Sequence, residues 1–451
     1  MELESINRVY LIGIGGIGMS GLARYFKKRG AVVCGYDKTP TPLTEALMNE
    51  GIPVVFSDDT DNIPFSFSEN DASTLIIYTP AIPKGSPILN HFRVNKFTLK
   101  KRSEVLGIIS KGMFTVAVAG THGKTTTSSI IAHLLKDSGN DCSAFLGGIT
   151  SNYNTNVLFG SNDTVVVEAD EYDRSFLTLH PDIAVVTSMD ADHLDIYGDA
   201  GHLVESFKQF AGQLKPGGIL IHRKGLDLEG GLTYAANEEA DIRALNIRVE
   251  EGAFRFDFTN GTQLLENLQI VLPGVHNIEN TIAAIEVALR LEIPEEKIRA
   301  ALASFRGVRR RFEYLVKTHS HVYIDDYAHH PEELRACITA VKALYPDKKL
   351  CTIFQPHLFT RTRDFAKEFS EVLGMTDELI MLDIYPAREL PIQGIDSALI
   401  LNAVEVTDKK ILSKQETLEH IRRERPELVL TVGAGDIDTL VKPIKNILEN
   451  A

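Results

Sequence analysis

The sequence predicts an α/β protein of three domains, and three features predict it. Apolar runs of strand length alternate along the chain with segments of helical apolar spacing, the rhythm of parallel sheets joined by crossover helices. Two of these runs lead into glycine turns that open helices, and a third glycine turn, Gly433-Ala-Gly435-Asp436, follows the last run. At 451 residues the chain is long enough for two or three separate cores. Charge clusters at residues 100–111 and 306–312 divide the three turns, so the expected domains are residues 1–103, 104–308 and 309–451.

In the first domain, residues 8–14 read as a strand, Gly13-Ile-Gly-Gly-Ile-Gly18 as a turn, and the run to Lys28 as a helix. A second strand, residues 32–36, ends at Asp37. A G-x-G-x-x-G turn in this context sets a pyrophosphate on the helix N-terminus and a ribose hydroxyl on the acid. Gly15, Gly16, Ile17, Gly18 and Asp37 are therefore binding candidates. Taken alone, the motif suggests a dinucleotide, with NAD the default. Residues 75–78 form a later strand that runs into Thr79-Pro80-Ala81-Ile82 at a ligand-facing edge. Cys34 lies in an apolar strand and reads as core.

The second domain opens on a buried strand from residue 116 that meets Gly120, Thr121, His122, Gly123, Lys124 and Thr125. Residues 126–135, beginning at Thr126, have helical apolar spacing. A strand, a glycine turn and a helix start offer backbone N–H groups and the positive end of a helix dipole to a phosphate. Lys124 adds a charge for the β/γ-phosphates and Thr125 a hydroxyl for Mg²⁺. The loop is shorter than G-x-x-x-x-G-K-[ST], because position 118 is valine. An ordinary glycine turn would explain the glycines but not Gly-Lys-Thr behind a buried strand. The nucleotide expected is ATP.

Further strands at residues 164–167 and 183–187 each end in acids. Glu168-Ala-Asp170-Glu171-Tyr-Asp173 would in most proteins be a solvated loop. Behind a phosphate loop, Mg²⁺ needs a carboxylate beside the Thr hydroxyl, and Glu168, first after the strand, is best placed. In Asp190-Ala-Asp192-His193-Leu-Asp195, His193 suits either a second Mg²⁺ or the γ-phosphate. Residues 253–272 alternate like antiparallel strands, and residues 277–291 read as a helix. Asn277 is a good helix cap; the functional alternative is amide contact from His276-Asn277-Ile-Glu-Asn280 to adenine or ribose.

The third domain repeats the α/β rhythm with strands at 322–324, 350–354, 379–382 and 428–432 and a helix at 332–344. Arg309, Arg310 and Arg311 are either an exposed patch or a device to neutralise transition-state charge. Asp325-Asp326-Tyr327-Ala-His329-His330-Pro331 follows a strand, and its His-His-Pro also fits a helix start with no catalytic role. Gln355-Pro-His357-Leu-Phe-Thr-Arg361-Thr-Arg363 offers a histidine and two arginines suited to a substrate carboxylate.

Composition narrows the classes. A net charge of −14 argues against nucleic-acid binding, which needs a basic footprint. No apolar run has transmembrane length, and Met-Glu-Leu-Glu lacks the basic start of a signal peptide. Four scattered cysteines without C-x-x-C fit a reducing cytoplasm and suggest neither zinc nor a disulfide framework.

Read in order, these motifs resemble the Mur ligase family along essentially the whole chain. The resemblance rests on Gly13-Ile-Gly-Gly-Ile-Gly-Met-Ser-Gly21, Gly120-Thr-His-Gly-Lys-Thr125, Glu168-Ala-Asp-Glu171 and Asp192-His193. It continues in Arg310-Arg-Phe312, Tyr327-Ala-His-His-Pro331, Gln355-Pro-His357 and Gly433-Ala-Gly-Asp436. It implies a Rossmann-like N-terminal domain that binds the UDP of a nucleotide sugar instead of NAD. A central P-loop ATP-binding domain and a C-terminal Rossmann-like domain that closes over the site would follow. The implied reaction joins L-alanine to the lactyl carboxylate of UDP-N-acetylmuramate through an acyl phosphate, with ATP and Mg²⁺.

Carried onto this chain, the resemblance assigns Gly15, Gly16, Ile17, Gly18, Asp37 and Thr79 to the sugar nucleotide. It assigns residues 120–126, Asn277, Asn280, Arg310 and Asp326 to ATP, and Thr125, Glu168 and His193 to the metal. Tyr327, His329, His330 and Arg361 would hold the amino acid. Lys124, Glu168, His193, Arg310 and His329 would be catalytic. Ser188 stands where an Asn is common, Leu358 where many relatives carry Arg, Tyr172 where Ser is frequent, and Thr79-Pro80 where Ser-Ser is. A murein-peptide ligase acting on the same nucleotide sugar is the alternative, but its N-terminal glycine segment differs. An NAD oxidoreductase leaves the ATP loop unexplained, and a non-catalytic nucleotide-sugar sensor does not need the acids at 168 and 193.

Overall fold

A computed structural model of the chain describes residues 3–190, 197, 199–250, 253–387 and 389–449. The apolar runs form three sheets, as the α/β rhythm predicts. Strands β1 (Arg8–Ile12), β2 (Val32–Tyr36), β3 (Val54–Val55), β4 (Thr74–Tyr78) and β5 (Thr98–Lys101) make a parallel sheet ordered β3-β2-β1-β4-β5. Alternate residues serve opposite faces. Val9, Leu11, Val33 and Ile77 enter one core, while Tyr10, Ile12, Cys34 and Ile76 enter the other. The strand order reverses between β1 and β4, which places the ligand crevice at their carboxyl ends. Strand β1 stops at Ile12, two residues before the expected end, because Gly13 turns the chain at φ 87°.

The second sheet comprises β6 (Phe114–Ala119), β7 (Ser143–Thr150), β8 (Thr155–Leu158), β9 (Thr164–Glu168), β10 (Ile183–Val186), β11 (Ile219–Arg223), β12 (Leu232–Ala236), β13 (Ile242–Glu250), β14 (Ala253–Thr259) and β15 (Leu264–Ile270). Its order is β15-β14-β13-β12-β11-β10-β6-β9-β7-β8. Strand β6 sits between β9 and β10, parallel to both, so its end, where the phosphate loop begins, is flanked by theirs. The helix after the loop is Lys124–Asp137, starting two residues earlier than apolar spacing alone suggests. The charged stretch 100–111 is the end of β5 followed by a helix, Arg102–Lys111, whose Val105, Leu106 and Ile109 are buried.

The third sheet contains β16 (Glu313–Lys317), β17 (Val322–Asp326), β18 (Leu350–Phe354), β19 (Glu378–Met381), β20 (Asp408–Ile411) and β21 (Leu428–Val432), ordered β16-β17-β21-β18-β19-β20. Only the edge strand β16 is antiparallel to its neighbour. The chain forms two compact units. The first holds Met1–Leu245, Asp257–Leu268 and Glu279–Phe305, and the second holds Asn246–Phe256, Gln269–Ile278 and Arg306–Ala451. All four cysteines are buried and free.

Candidate functional site

In the first unit, the phosphate loop leaves β6 at Gly120 (φ 139°) and enters the helix at Gly123 (φ 81°). A Cβ on Gly123 would lie 2.7 Å from Asn280 Oδ1, and one on Gly120 would press into Thr187. Both positions therefore need glycine, and Asn280 lies directly over the loop. The loop is braced from the end of β10. The Thr187 hydroxyl donates to the carbonyls of Ala119 and His122, and Thr121 Oγ1 pairs with Ser188 Oγ at 2.9 Å. The His122 amide donates to Ser188 Oγ at 2.7 Å. The residue at the first departure from the family pattern thus holds the loop. Strand β10 ends at Val186, one residue before the expected limit, although the Thr187 amide still donates to Ala119 O at 2.9 Å.

Lys124 Nζ donates to Gly120 O at 2.6 Å and to Glu171 Oε1 at 2.9 Å, and it lies 2.7 Å from Glu171 Oε2 as an ion pair. The two side chains are 13% and 2% exposed, so this is a buried ion pair. Burial alone would lower the Lys124 ammonium, but Glu171, Glu168 and Asp170 hold it above its ordinary range. The three carboxylates diverge. Glu168 Oε2 accepts from the Gly147 amide at 2.8 Å, Asp170 Oδ2 accepts from Arg102 Nη2 at 3.0 Å, and Glu171 meets Lys124. Thr125 and Thr126 are buried in the helix's first turn. His193 lies outside the described residues, as do Asp192 and Asp195.

The first sheet's glycine turn is similarly tight. The Gly13 and Ile14 amides donate to Tyr36 O, and the Gly15 amide donates to Asp37 Oδ2 at 2.8 Å. A Cβ on Gly13 would come within 2.6 Å of Thr79 Cγ2. Asp37 and Thr79 thus reach the turn from β2 and β4. Gly16 is exposed at the start of the helix Ile17–Lys28, and the Arg102 guanidinium lies against Gly18. Gly15, Gly16, Ile17, Gly18, Asp37 and Thr79 are brought together at the carboxyl ends of three parallel strands. Arg102 was not expected there, since nothing in its local pattern marks it.

In the second unit, Arg310 adopts φ 58° and is held on several sides. Its Nε donates to Asp325 Oδ2 at 3.0 Å, its Nη2 to Gly433 O at 2.7 Å, and its amide to Glu313 Oε2 at 2.8 Å. Burial pushes the Asp325 carboxyl up to about 6, with Arg310 pulling against it. Asp326 accepts from the amides of Phe312 and Ala328, each at 2.7 Å, and so fixes the turn after β17. The Arg310 and Arg311 guanidinium groups lie 5.3 and 5.4 Å from the centre of the Tyr327 ring, while Arg309 is exposed. Asn277 does not cap its helix; Val275–Arg290 has already begun, and the Asn277 side-chain Nδ2 donates to Pro273 O at 2.7 Å.

His329 Nδ1 lies 3.0 Å from Tyr327 O and 3.3 Å from Glu333 Oε2, which assigns the proton to Nδ1 and leaves Nε2 an acceptor. Burial lowers the His329 imidazole to about 4, so it is neutral at pH 7. Its ring is 5.9 Å from His357, which burial also lowers to about 4 and which stacks on Tyr385 at 5.8 Å. Arg361, on the helix Phe359–Asp364, contributes to lowering both rings. His330 stands at the start of Pro331–Leu344, its ring edge-on to Phe365. Tyr327, His329, His357, Tyr385 and Arg361 thus surround one region, of which Tyr385 escaped sequence reasoning. Leu358, at φ 71°, leads into the Arg361 helix.

Three family models match in order along the chain. They are the Mur ligase family catalytic domain at residues 8–113, the Mur ligase middle domain at 118–288 and the Mur ligase glutamate ligase domain at 310–435. A UDP-N-acetylmuramate–L-alanine ligase of Cytophaga hutchinsonii is 50% identical, covering 100% of this chain and 98% of its own. The chain belongs to the Mur ligase family. Among solved Mur ligases, it is similar to the UDP-N-acetylmuramate-alanine ligase of Thermotoga maritima, with a TM-score of 0.81, 26% identity and 98% of each chain covered. A murein peptide ligase of Psychrobacter arcticus shares the fold with a TM-score of 0.69 and 20% identity, over 98% of this chain and 99% of that one.

Proposed function

We propose that this Mur ligase joins L-alanine to the lactyl carboxylate of UDP-N-acetylmuramate, forming UDP-N-acetylmuramoyl-L-alanine, ADP and phosphate in peptidoglycan biosynthesis. The observation that carries this reading is half identity, end to end, to a ligase of that specificity. Likeness to the murein peptide ligase stops at the fold. The reaction consumes ATP, as the family does, and its other partners are small molecules. We place it in the cytoplasm, and no described helix is long and apolar enough to cross a membrane. It needs neither nucleic acid nor membrane.

The labour divides at the expected boundaries. Residues 1–103 hold the nucleotide sugar through Gly15, Gly16, Ile17, Gly18, Asp37 and Thr79. Residues 104–308 hold ATP through the loop 120–126 with Asn277 and Asn280. Residues 309–451 supply Arg310 and Asp326 to ATP and Tyr327, His329, His330 and Arg361 to alanine. The first step sets one anion on another, since the lactyl carboxylate attacks the γ-phosphate. Lys124 offsets that repulsion once the phosphates draw it from Glu171, and Arg310 adds a second cation. Thr125 and Glu168 would offer Mg²⁺, which keeps few protein ligands, the oxygens it prefers, and His193 would add a ring nitrogen. Mg²⁺ there would supply further neutralisation of phosphate charge. In the second step, the alanine amine must be neutral to attack, and the neutral His329 ring can accept a hydrogen bond from it through Nε2. Arg361 grips the alanine carboxylate.

With ¹⁸O in the lactyl carboxylate, an acyl phosphate sends one label into the released phosphate. Phosphate free of label would rule that intermediate out.

A further inference from the structure

Two sequence motifs, Gln355-Pro-His357 and Gly433-Ala-Gly-Asp436, have no part in the scheme above, yet the fold joins them through one side chain. Gln355 is the first residue beyond β18 and is 4% exposed. Its Nε2 donates to Asp436 Oδ1 at 2.8 Å and to Asp383 O at 3.4 Å, and its Oε1 accepts from the Ile437 amide at 2.8 Å. Its backbone N–H donates to Val432 O at 3.1 Å, extending the pairing of β18 with β21 by one residue. The approach is close enough to exclude side chains: a Cβ on Gly433 would come 2.7 Å from Gln355 O, and one on Gly435 2.6 Å from Tyr385 Cβ. One amide thus ties the turn after β21 to the segment after β19.

One tied segment touches a residue of the reaction, and the other touches the turn that carries one. The Gly433 carbonyl accepts from Arg310 Nη2 at 2.7 Å. Tyr385 stacks on His357, its carbonyl accepts from the Leu358 amide at 2.9 Å, and its own amide donates to Pro356 O at 2.9 Å. Leu358 is the strained residue that launches the Arg361 helix. We propose that Gln355 is a positioning residue, which through Gly433 orients Arg310 and through Tyr385 orients His357 and Arg361. It touches no substrate. This rests on the reading that Arg310 and Arg361 serve ATP and alanine.

The chemistry demands an amide. Gln355 must donate to a carboxylate and a carbonyl while accepting from an N–H, which neither glutamate nor methionine can do. Lys414 Nζ also pairs with Asp436, at 2.6 Å, so that carboxylate is charged and its bond to Gln355 is charge-assisted.

The test compares Gln355→Glu, Asp436→Asn and the double variant in steady-state kinetics on the full chain. Gln355→Glu sets two carboxylates against each other, whereas the double variant restores one donor facing one acceptor with the direction reversed. Gln355→Glu should lower kcat/KM for alanine and for ATP by about tenfold or more, the worth of a charge-assisted bond, and leave the UDP-N-acetylmuramate KM within about twofold. Asp436→Asn, whose Oδ1 still accepts from Gln355 Nε2, should lose less. The double variant should recover most of the loss. If Gln355→Glu does not fold, Gln355→Met, which has a similar length but cannot make the amide's bonds, must give the same loss for alanine and ATP with the UDP-N-acetylmuramate KM little changed. An equal effect on all substrates, a double variant no better than Gln355→Glu, or a folded Gln355 variant with wild-type alanine kinetics would each overturn the proposal. A wild-type protein with no alanine-dependent turnover would instead overturn the functional reading on which it rests.

Discussion

Replacing Glu171 with Gln removes the charge that neutralises Lys124 without changing its shape. Lys124 would keep the Gly120 carbonyl at 2.6 Å but lose a counter-ion held at 2.7 Å. With side chains only 13% and 2% exposed, solvent cannot replace it. Stranding one half of a buried pair costs about 3–5 kcal/mol, so the variant should unfold at a clearly lower urea concentration. The second consequence runs the opposite way. In the wild type, a nucleotide must draw Lys124 off Glu171 before its phosphates gain the ammonium; in the variant the ammonium is already uncommitted. If about 1.4 kcal/mol of the lost pairing is recovered by the phosphates, ADP binds about tenfold more tightly. Calorimetric titration of ADP without Mg²⁺ on both proteins, alongside urea unfolding, measures the two effects. An ADP affinity equal to or weaker than wild type, or an unchanged urea midpoint, would refute the reasoning.

Glu168→Ala should raise the Mg²⁺ concentration needed for half-maximal rate steeply, and a change at Glu171 should do so less; the reverse order would mean that the metal carboxylate is Glu171. Arg361→Lys should raise the alanine KM by about tenfold, the loss of one charge-assisted contact, with little change for ATP or the nucleotide sugar. An equal rise for all three would make Arg361 merely structural. Stability should also fall in acid. His329 and His357, lowered to about 4 by burial, bind protons less readily folded than unfolded, so stability is full above about pH 6.5 and is lost as pH drops towards 4. Each ring contributes up to about 1.4 kcal/mol per pH unit, and Asp325, raised to about 6, cancels roughly one ring over that window. Urea midpoints for the second unit at pH 7 and pH 5 check the sign, and a flat or rising trend on acidification contradicts neutral rings.

What the sequence revealed followed burial. Strands β2, β18 and β21 match their expected limits because each is an apolar run stopped by polar or turn residues. Edge strands such as β5 (Thr-Leu-Lys-Lys) and β20 (Asp-Lys-Lys-Ile) went unseen, since their side chains are half-exposed and pairing partners distant in the chain define them. The phosphate loop was legible because its residues are contiguous. Its wiring was not: Lys124 meets Glu171 across 47 residues, Asp170 meets Arg102 across 68, and no local periodicity encodes either pair. Glu168 was favoured for standing first after the expected strand 164–167, although it is the last residue of β9, and its contact to the Gly147 amide could be seen only once β7 was placed beside β9. Tyr385 follows no strand pattern at all, and only its stacking on His357 brings it to notice.

The central claim is substrate identity, and ADP release with each component omitted in turn tests it most directly. ADP and phosphate should appear only when ATP, Mg²⁺, UDP-N-acetylmuramate and L-alanine are all present. Full turnover with a tripeptide and none with alanine, or ADP release without the nucleotide sugar, would contradict it.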